Sequence, residues 1–360
     1  MSDLITMMSA AAGVSTATPI NPREYFNTVL YTGNNTTNVI TGVGFQPDWL
    51  WIKSRSEAQN HALMDVLRGV SKQLQSSTTN AESTNSAGKG VQSFDADGFT
   101  LGQESDATGG TNNNLGSYVA WNWKANGAGS SNTDGTISST VSVSTTSGFS
   151  IVTYTGTNVT GATVGHGLGT TPSMIIIKQR NVLRAWIVYH ISIGNTGYIQ
   201  LHSSDAEDKP NSTMFNNAGP SSTTFTIGSS AAVNESGGTY VAYCFAAIPG
   251  YSAFGSYTGN GSADGPFIYT GFRPRFVMIK RTDSSDAWLM NDTSRSNYNG
   301  VNYWLQAESS GAESTNSPYQ SIYLSNGFKL TGTSTSDNAS GGTYIYMAFA
   351  ENPFKIALAR

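Results

Sequence analysis

A chain of 360 residues is long enough for two or three domains, each with a core of its own. Only 12% of the residues are charged and the net charge is −4, which argues against binding along a phosphate backbone, a contact that needs clustered Lys and Arg. A single cysteine, Cys244, excludes an internal disulfide framework and a multi-cysteine metal site, and no segment reaches the roughly 18 apolar residues of a membrane helix.

In chain order, residues 1–24 stand apart. Leu4, Ile5, Met7 and Met8 cluster ahead of a small-residue stretch that ends at Pro19 and Pro22, which stop any helix. No basic residues precede the apolar start, so a secretory signal is not expected. The reading is a short segment that docks on a partner, with Leu and Met filling an apolar groove; a disordered tail is the plainer alternative.

The first domain is expected over 25–124. Phe26–Tyr31 and Leu50–Lys53 have strand length and strand patterning between Gly and Pro. His61–Leu74 alone shows helix-like spacing, and Arg68-Gly69 limits it to a short helix or a strand followed by a turn. Asp95-Ala-Asp-Gly98 is a turn feeding Phe99-Thr-Leu101, and Tyr118–Lys124 reads as a buried closing strand. Residues 125–148, rich in Gly, Ser and Thr, read as a linker with one strand near Thr140–Ser144. A second domain over 149–248 and a third over 249–360 follow the same plan.

That plan is a repeat. Pro47, Pro172 and Pro274 each precede a lysine by six positions (Lys53, Lys178, Lys280), with an apolar run between. A Tyr-Thr-Gly opens each copy at Tyr31, Tyr154 and Tyr257, and a tyrosine-led strand closes it at Tyr118, Tyr240 and Tyr344. Trp186 and Trp288 lie eight residues past their lysines, where the first copy has His61. The hexapeptide Ala-Glu-Ser-Thr-Asn-Ser occurs at both Ala81 and Ala312. The period of about 100 residues suits a small domain. Short strands with polar turns and almost no helix predict an all-β chain: three tandem antiparallel β-sandwich, jelly-roll-like domains behind a short N-terminal docking segment. The Pro-to-Lys strand, apolar on both faces, should be central, with its lysine snorkelling out at the edge.

Chemistry is sparse in this pattern. His61, His166, His190 and His202 fall in no metal-ligating spacing, and no metal or cofactor is expected. Asp95 and Asp97 are explained by turn formation, and Asp205, Glu207 and Asp208 form an acidic loop without counterparts in the other copies. Gly165–Gly169 and Gly237-Gly238 are turns, because no helix follows to make a phosphate site. No catalytic residues are assigned. Most aromatics should pack in cores; Tyr251, Tyr298, Tyr303 and Tyr319, in less regular context, are the candidates for a carbohydrate- or protein-contact surface.

The blocks Tyr257–Arg281 and Asn338–Phe354, together with Gly44–Leu74, resemble a repeated, uncharacterised domain of tailed, often marine, bacteriophages. That resemblance covers nearly everything from Tyr25 onward and implies a virion structural protein, a tail fibre or receptor-binding subunit, with no catalytic residues to carry over. The expectation is a protein of the virion, assembled in the host cytoplasm, joined to other virion proteins by its N-terminus and forming a homotrimer, with no nucleic acid and no membrane insertion. The alternatives are a capsid decoration or head-fibre protein and, third, a glycan-degrading tailspike-type enzyme.

Overall fold

The computed structural model describes residues 20–106, 109–296, 303–314 and 320–352. Strands dominate, and the two α-helices, Ala231–Asn234 and Thr335–Asn338, are single turns capped by the side chains of Ser230 and Ser334. The first copy carries β1 (Phe26–Thr32), β2 (Asn38–Ile40), β3 (Trp49–Ser54), β4 (Ala62–Asp65), β5 (Lys72–Gln73), β6 (Ser83–Thr84), β7 (Val91–Asp95), β8 (Gly98–Leu101) and β9 (Ser117–Trp123). The second has β10 (Ser130–Asn132), β11 (Ser139–Ser144), β12 (Phe149–Thr155), β13 (Ala162–Gly165), β14 (Met174–Gln179), β15 (Trp186–His190), β16 (Ile199–Gln200), β17 (Thr224–Ile227) and β18 (Thr239–Phe245). The third has β19 (Ser252–Thr258), β20 (Phe267–Tyr269), β21 (Pro274–Arg281), β22 (Trp288–Asp292), β23 (Leu305–Gln306), β24 (Ser321–Leu324), β25 (Gly327–Leu330) and β26 (Thr343–Ala350).

Each copy builds a larger antiparallel sheet in the same order: β1-β9-β3-β4, β12-β18-β14-β15-β16 and β19-β26-β21-β22-β23. Each also has a smaller sheet: β2-β8-β7, β13-β17 and β20-β25-β24. The Pro-to-Lys strands β3, β14 and β21 lie inside their sheets, as their two apolar faces require. His61–Leu74 resolves as a strand, a turn and a second strand, since Gly69 adopts φ +95 where a helix would need φ near −63. The expected linker is corrected. Within 125–148, β10 and β11 extend the second copy's sheet beyond β12, and Val141 is buried there.

The tyrosines that open and close each copy face one another across neighbouring strands. Tyr31–Tyr118, Tyr154–Tyr240 and Tyr257–Tyr344 are in register, their rings stacked at 5.0, 4.9 and 4.9 Å. A buried asparagine six positions before each closing tyrosine (Asn112, Asn234, Asn338) ties the adjoining loops, its Nδ2 donating to Gly102 O, Gly228 O and Gly332 O. The glycine of each Tyr-Thr-Gly lies against this loop. A Cβ at Gly33, Gly156 or Gly259 would sit 2.2, 2.4 or 2.4 Å from a backbone oxygen. Gly156→Ala is therefore expected to destabilise by about 1–3 kcal/mol, measured as a lowered urea midpoint with unchanged m-value.

The larger sheets are buried on both faces. One face packs on its own smaller sheet, giving three separate cores; Leu50 and Ile52, Ile175 and Ile177, and Val277 and Ile279 point there. The opposite face packs on the other two copies. Trp49 and Trp51, Met174 and Ile176, and Phe276 and Met278 meet in one common cluster. Trp123, Phe245 and Phe349, the same position on β9, β18 and β26, touch pairwise at 6.5, 6.0 and 5.8 Å. A pseudo-threefold axis runs between them.

Candidate functional site

A set of polar and charged side chains, most of them buried, bridges the copies. The residue that faces each run's lysine on the next strand reaches the preceding copy in the ring. Trp186 Nε1 donates to Gln75 O at 2.9 Å and Trp288 Nε1 to Gln200 O at 2.9 Å. His61 takes the same position and closes the ring. Trp51 Nε1 donates to its Nδ1 at 2.7 Å, so Nε2 carries the proton and faces Gln306 O at 2.9 Å. Burial, with Lys53 nearby, drives the His61 pKa down to about 3, which keeps the ring neutral in this role.

The three lysines do not snorkel. Lys53, Lys178 and Lys280 are fully buried, and burial lowers each pKa to about 8. Their ammonium groups are met by carbonyls: Lys53 donates to Ser54 O, Lys178 to Gln179 O and Thr79 O, and Lys280 to Arg281 O and Ser204 O. The edge to which a lysine could snorkel is covered by the preceding copy, which supplies Thr79 and Ser204.

Two of the three seams carry a buried ionic network. In the first, Arg68 pairs with Asp65 and Glu82, donates to Leu63 O at 2.9 Å, and meets Tyr243 of the second copy; Tyr243 in turn donates to Asp65 at 2.8 Å. Glu82 spans the seam to Arg180 at 2.9 Å. Between the third and first copies the pattern recurs. Arg295 pairs with Asp292 at 2.6 Å and Glu313 at 3.0 Å, and Glu313 reaches Arg55 at 2.7 Å. Trp121 of the first copy donates to Asp292 at 3.0 Å and lies 5.4 Å from the Arg295 guanidinium. Backbone contacts repeat at all three seams: Glu82 N to Arg180 O, Glu207 N to Thr282 O and Glu313 N to Arg55 O. Among the described residues, the seam between second and third copies has no such network. His190 and Ile193 stand where Asp65 and Arg68 stand, Met347 where Tyr243 stands, and His190 Nε2 is 3.2 Å from Tyr346 O. The shared hexapeptide thus marks the two ionic seams, through Glu82 and Glu313.

One buried carboxyl has no such support. Asp337 is buried with neither carboxylate oxygen hydrogen-bonded, where the other copies have Thr111 and Val233. Burial, with Asp286 nearby, pushes its pKa up to about 8. A carboxyl whose folded pKa is raised favours the fold most at low pH, and the contribution is lost as pH rises through about 8. Asp337→Val is expected to stabilise by about 1–3 kcal/mol at pH 9, the gap to the parent narrowing towards pH 5 in pH-resolved urea melts.

The candidate contact residues fare unequally. Tyr251 is corrected: it is fully buried, 5.6 Å from Phe349 and 6.4 Å from Tyr25 in the common cluster. Tyr303 lies at the surface, its carbonyl accepting from Asn291. Tyr298 and Tyr319, and Leu4, Ile5, Met7 and Met8, lie outside the described residues. His190 and His202 are not cross-strand partners; His190 pairs with Met174, and His202 accepts from Trp186 N. Asp97 accepts from Gly42 N and Gly44 N and Asp95 from Thr100, as turn residues do. Among the described residues, no three His, Cys, Asp or Glu side chains converge as metal ligands would, and no helix is long and apolar enough to cross a membrane.

Fold and contacts together define an all-β repeat protein whose three copies close around one aromatic core. A family described as a domain of unknown function, DUF7483, matches residues 21–353 in one span across all three copies, and the chain belongs to that family. No curated protein and no solved structure matches it.

Proposed function

We propose that this chain is a structural, adhesive component of a bacteriophage virion, a tail fibre or receptor-binding subunit, built as three tandem β-sandwich units behind an N-terminal docking segment. The observation that carries this reading is where the polar residues of the repeat go. Arg68, Glu82, Glu313, His61, Trp186 and Trp288 hydrogen-bond or ion-pair across seams between copies, and Arg295 lies over Trp121 of the first copy, the use expected in a body that must hold its shape. The resemblance of Tyr257–Arg281 and Asn338–Phe354 to a repeated phage domain supplies the setting. Threefold packing within one chain gives the stiffness that a homotrimer would otherwise supply, so the reading does not require a second copy. A host-surface glycan or protein is its partner at one end and other virion proteins at the other.

Capsid decoration is the second reading, favoured by the closure of the third copy on the first through Arg295, Glu313 and Trp121, which makes a compact body rather than an extended rod. Both are tested by gradient-purified virions, split into head and tail fractions and probed by mass spectrometry for this chain. The tail reading expects the chain to track with tails and the second reading with heads. Recovery of the chain only from the soluble lysate of infected cells removes both.

A further inference from the structure

The three smaller sheets can be compared position by position, because Ile40, Val164 and Ile268 face the buried Phe99, Phe225 and Phe328 in register. In each, the first strand lies at the sheet's edge. In the third copy Leu330 N donates to Pro266 O at 3.1 Å and Thr270 N to Asn326 O at 3.0 Å. Antiparallel pairing alternates, so the N–H and C=O groups of the intervening Phe267 and Tyr269 point away from the sheet.

The second copy shows what such an edge accepts. Its corresponding outward residues are Thr163 and Gly165, and the chain's own segment Thr136–Ser139 runs along them. Ile137 N donates to Thr163 O at 3.0 Å, Thr163 N to Thr136 Oγ1 at 2.9 Å and Ser139 Oγ to Gly165 O at 2.9 Å, with a parallel bridge from Ile137 to Val164. Ile137 is buried by the contact. Along β20 no comparable segment lies among the described residues. Among the described residues, Tyr269 O meets only the Tyr346 hydroxyl, at 3.5 Å.

The outer face differs too. Thr163 and Gly165 in the second copy, and Val39 and Thr41 in the first, correspond to Phe267 and Tyr269 in the third. These two aromatics are 44% and 64% exposed, and two successive copies of the same sheet fold without them. Their presence is not a requirement of the fold. An open edge beside an exposed aromatic pair is the pattern of strand addition, in which backbone hydrogen bonds give affinity and side-chain contacts give selectivity.

We propose that the β20 edge of the third copy is a docking site for an extended, uncharged polypeptide segment of another protein, one apolar residue flanked by Ser or Thr, laid parallel to β20 as Thr136–Ser139 is laid along β13. This site stands on the internal comparison and does not depend on the virion reading.

The probe is the chain's own sequence, a labelled, end-capped peptide of residues 135–140, titrated onto the full chain to about 1 mM and followed by anisotropy and by amide hydrogen exchange. Saturable binding is expected, with exchange at Phe267 and Tyr269 slowed at least about tenfold. Tyr269→Pro removes an outward N–H that the β20–β25 ladder does not use, a place where an edge strand tolerates proline, and should weaken binding at least about tenfold. The exchange measurement on the parent chain stands even if that variant folds poorly. Absence of saturable binding, binding without protection at Phe267 and Tyr269, or binding that survives in a folded Tyr269→Pro overturns the assignment. A concentration-dependent dimer of the parent that Tyr269→Pro abolishes also overturns it, making the occupant a second copy.

Discussion

Arg68→Ala is expected to lower stability by about 3–5 kcal/mol, because it strands Asp65 and part of Glu82 as buried charges without their counter-ion. Arg68 is fully buried at the seam between first and second copies, with Asp65 equally buried and Glu82 nearly so. Surface ion pairs are worth a fraction of this, so the size of the loss itself reports burial. The third seam supplies the control. There the chain places His190, Ile193 and Met347 at the positions of Asp65, Arg68 and Tyr243 and still packs the seam. The triple variant Asp65→His, Arg68→Ile, Tyr243→Met should therefore recover most of what Arg68→Ala loses, ending within about 2 kcal/mol of the parent, in line with buried ionic groups that apolar residues of similar volume replace at little cost. Urea melts at matched pH give both numbers. A triple variant as unstable as Arg68→Ala would show that the network contributes more than mutual neutralisation, and the comparison of seams would fail.

Much of each copy was legible in the sequence, and for a definite reason. Trp49-Leu-Trp-Ile52 and Met174-Ile-Ile-Ile177 are apolar at every position, which only a strand buried on both faces tolerates, and β3 and β14 are such strands. The tyrosine pairs and the Gly of Tyr-Thr-Gly were visible as repeated positions. What local pattern does not state is the identity of the second face's partner. Alternation places Trp121 and Trp123 on one side of β9, yet nothing in the spacing says that the third copy folds back to meet them. The lysines depart from the snorkelling expectation for the same cause, since an end of a strand is an edge only when no other copy covers it. Tyr251 lies in a short connection between copies, a context that in sequence reads as surface, whereas the tightness of that connection presses it into the common core. The ionic seams did leave a trace. Asp65-Val-Leu-Arg68 and Asp292-Thr-Ser-Arg295 share their spacing, and each goes with a copy of the hexapeptide, while the second copy has neither.

Trp123 is where loss of one side chain should be felt by all three copies. Its ring lies 4.4 Å from Trp49, 5.0 Å from Phe26 and 5.8 Å from Phe349, and it meets both Phe245 and Phe276. Trp123→Ala opens a cavity at the pseudo-threefold axis and is expected to cost about 3–5 kcal/mol. Because the common cluster draws on β3, β14 and β21 alike, tryptophan fluorescence and far-ultraviolet circular dichroism should still fall together in one lowered transition. Trp123→Phe installs the residue that the second and third copies carry at this position. The Trp123 indole N–H is buried without a hydrogen-bond partner, so the phenyl ring removes an unsatisfied donor while leaving a smaller void. The two effects oppose, and the net change should stay within about 1.5 kcal/mol. Two separated transitions in the alanine variant, with one copy melting well before the others, would mean that the copies are independently stable and that the shared core is only a contact between them.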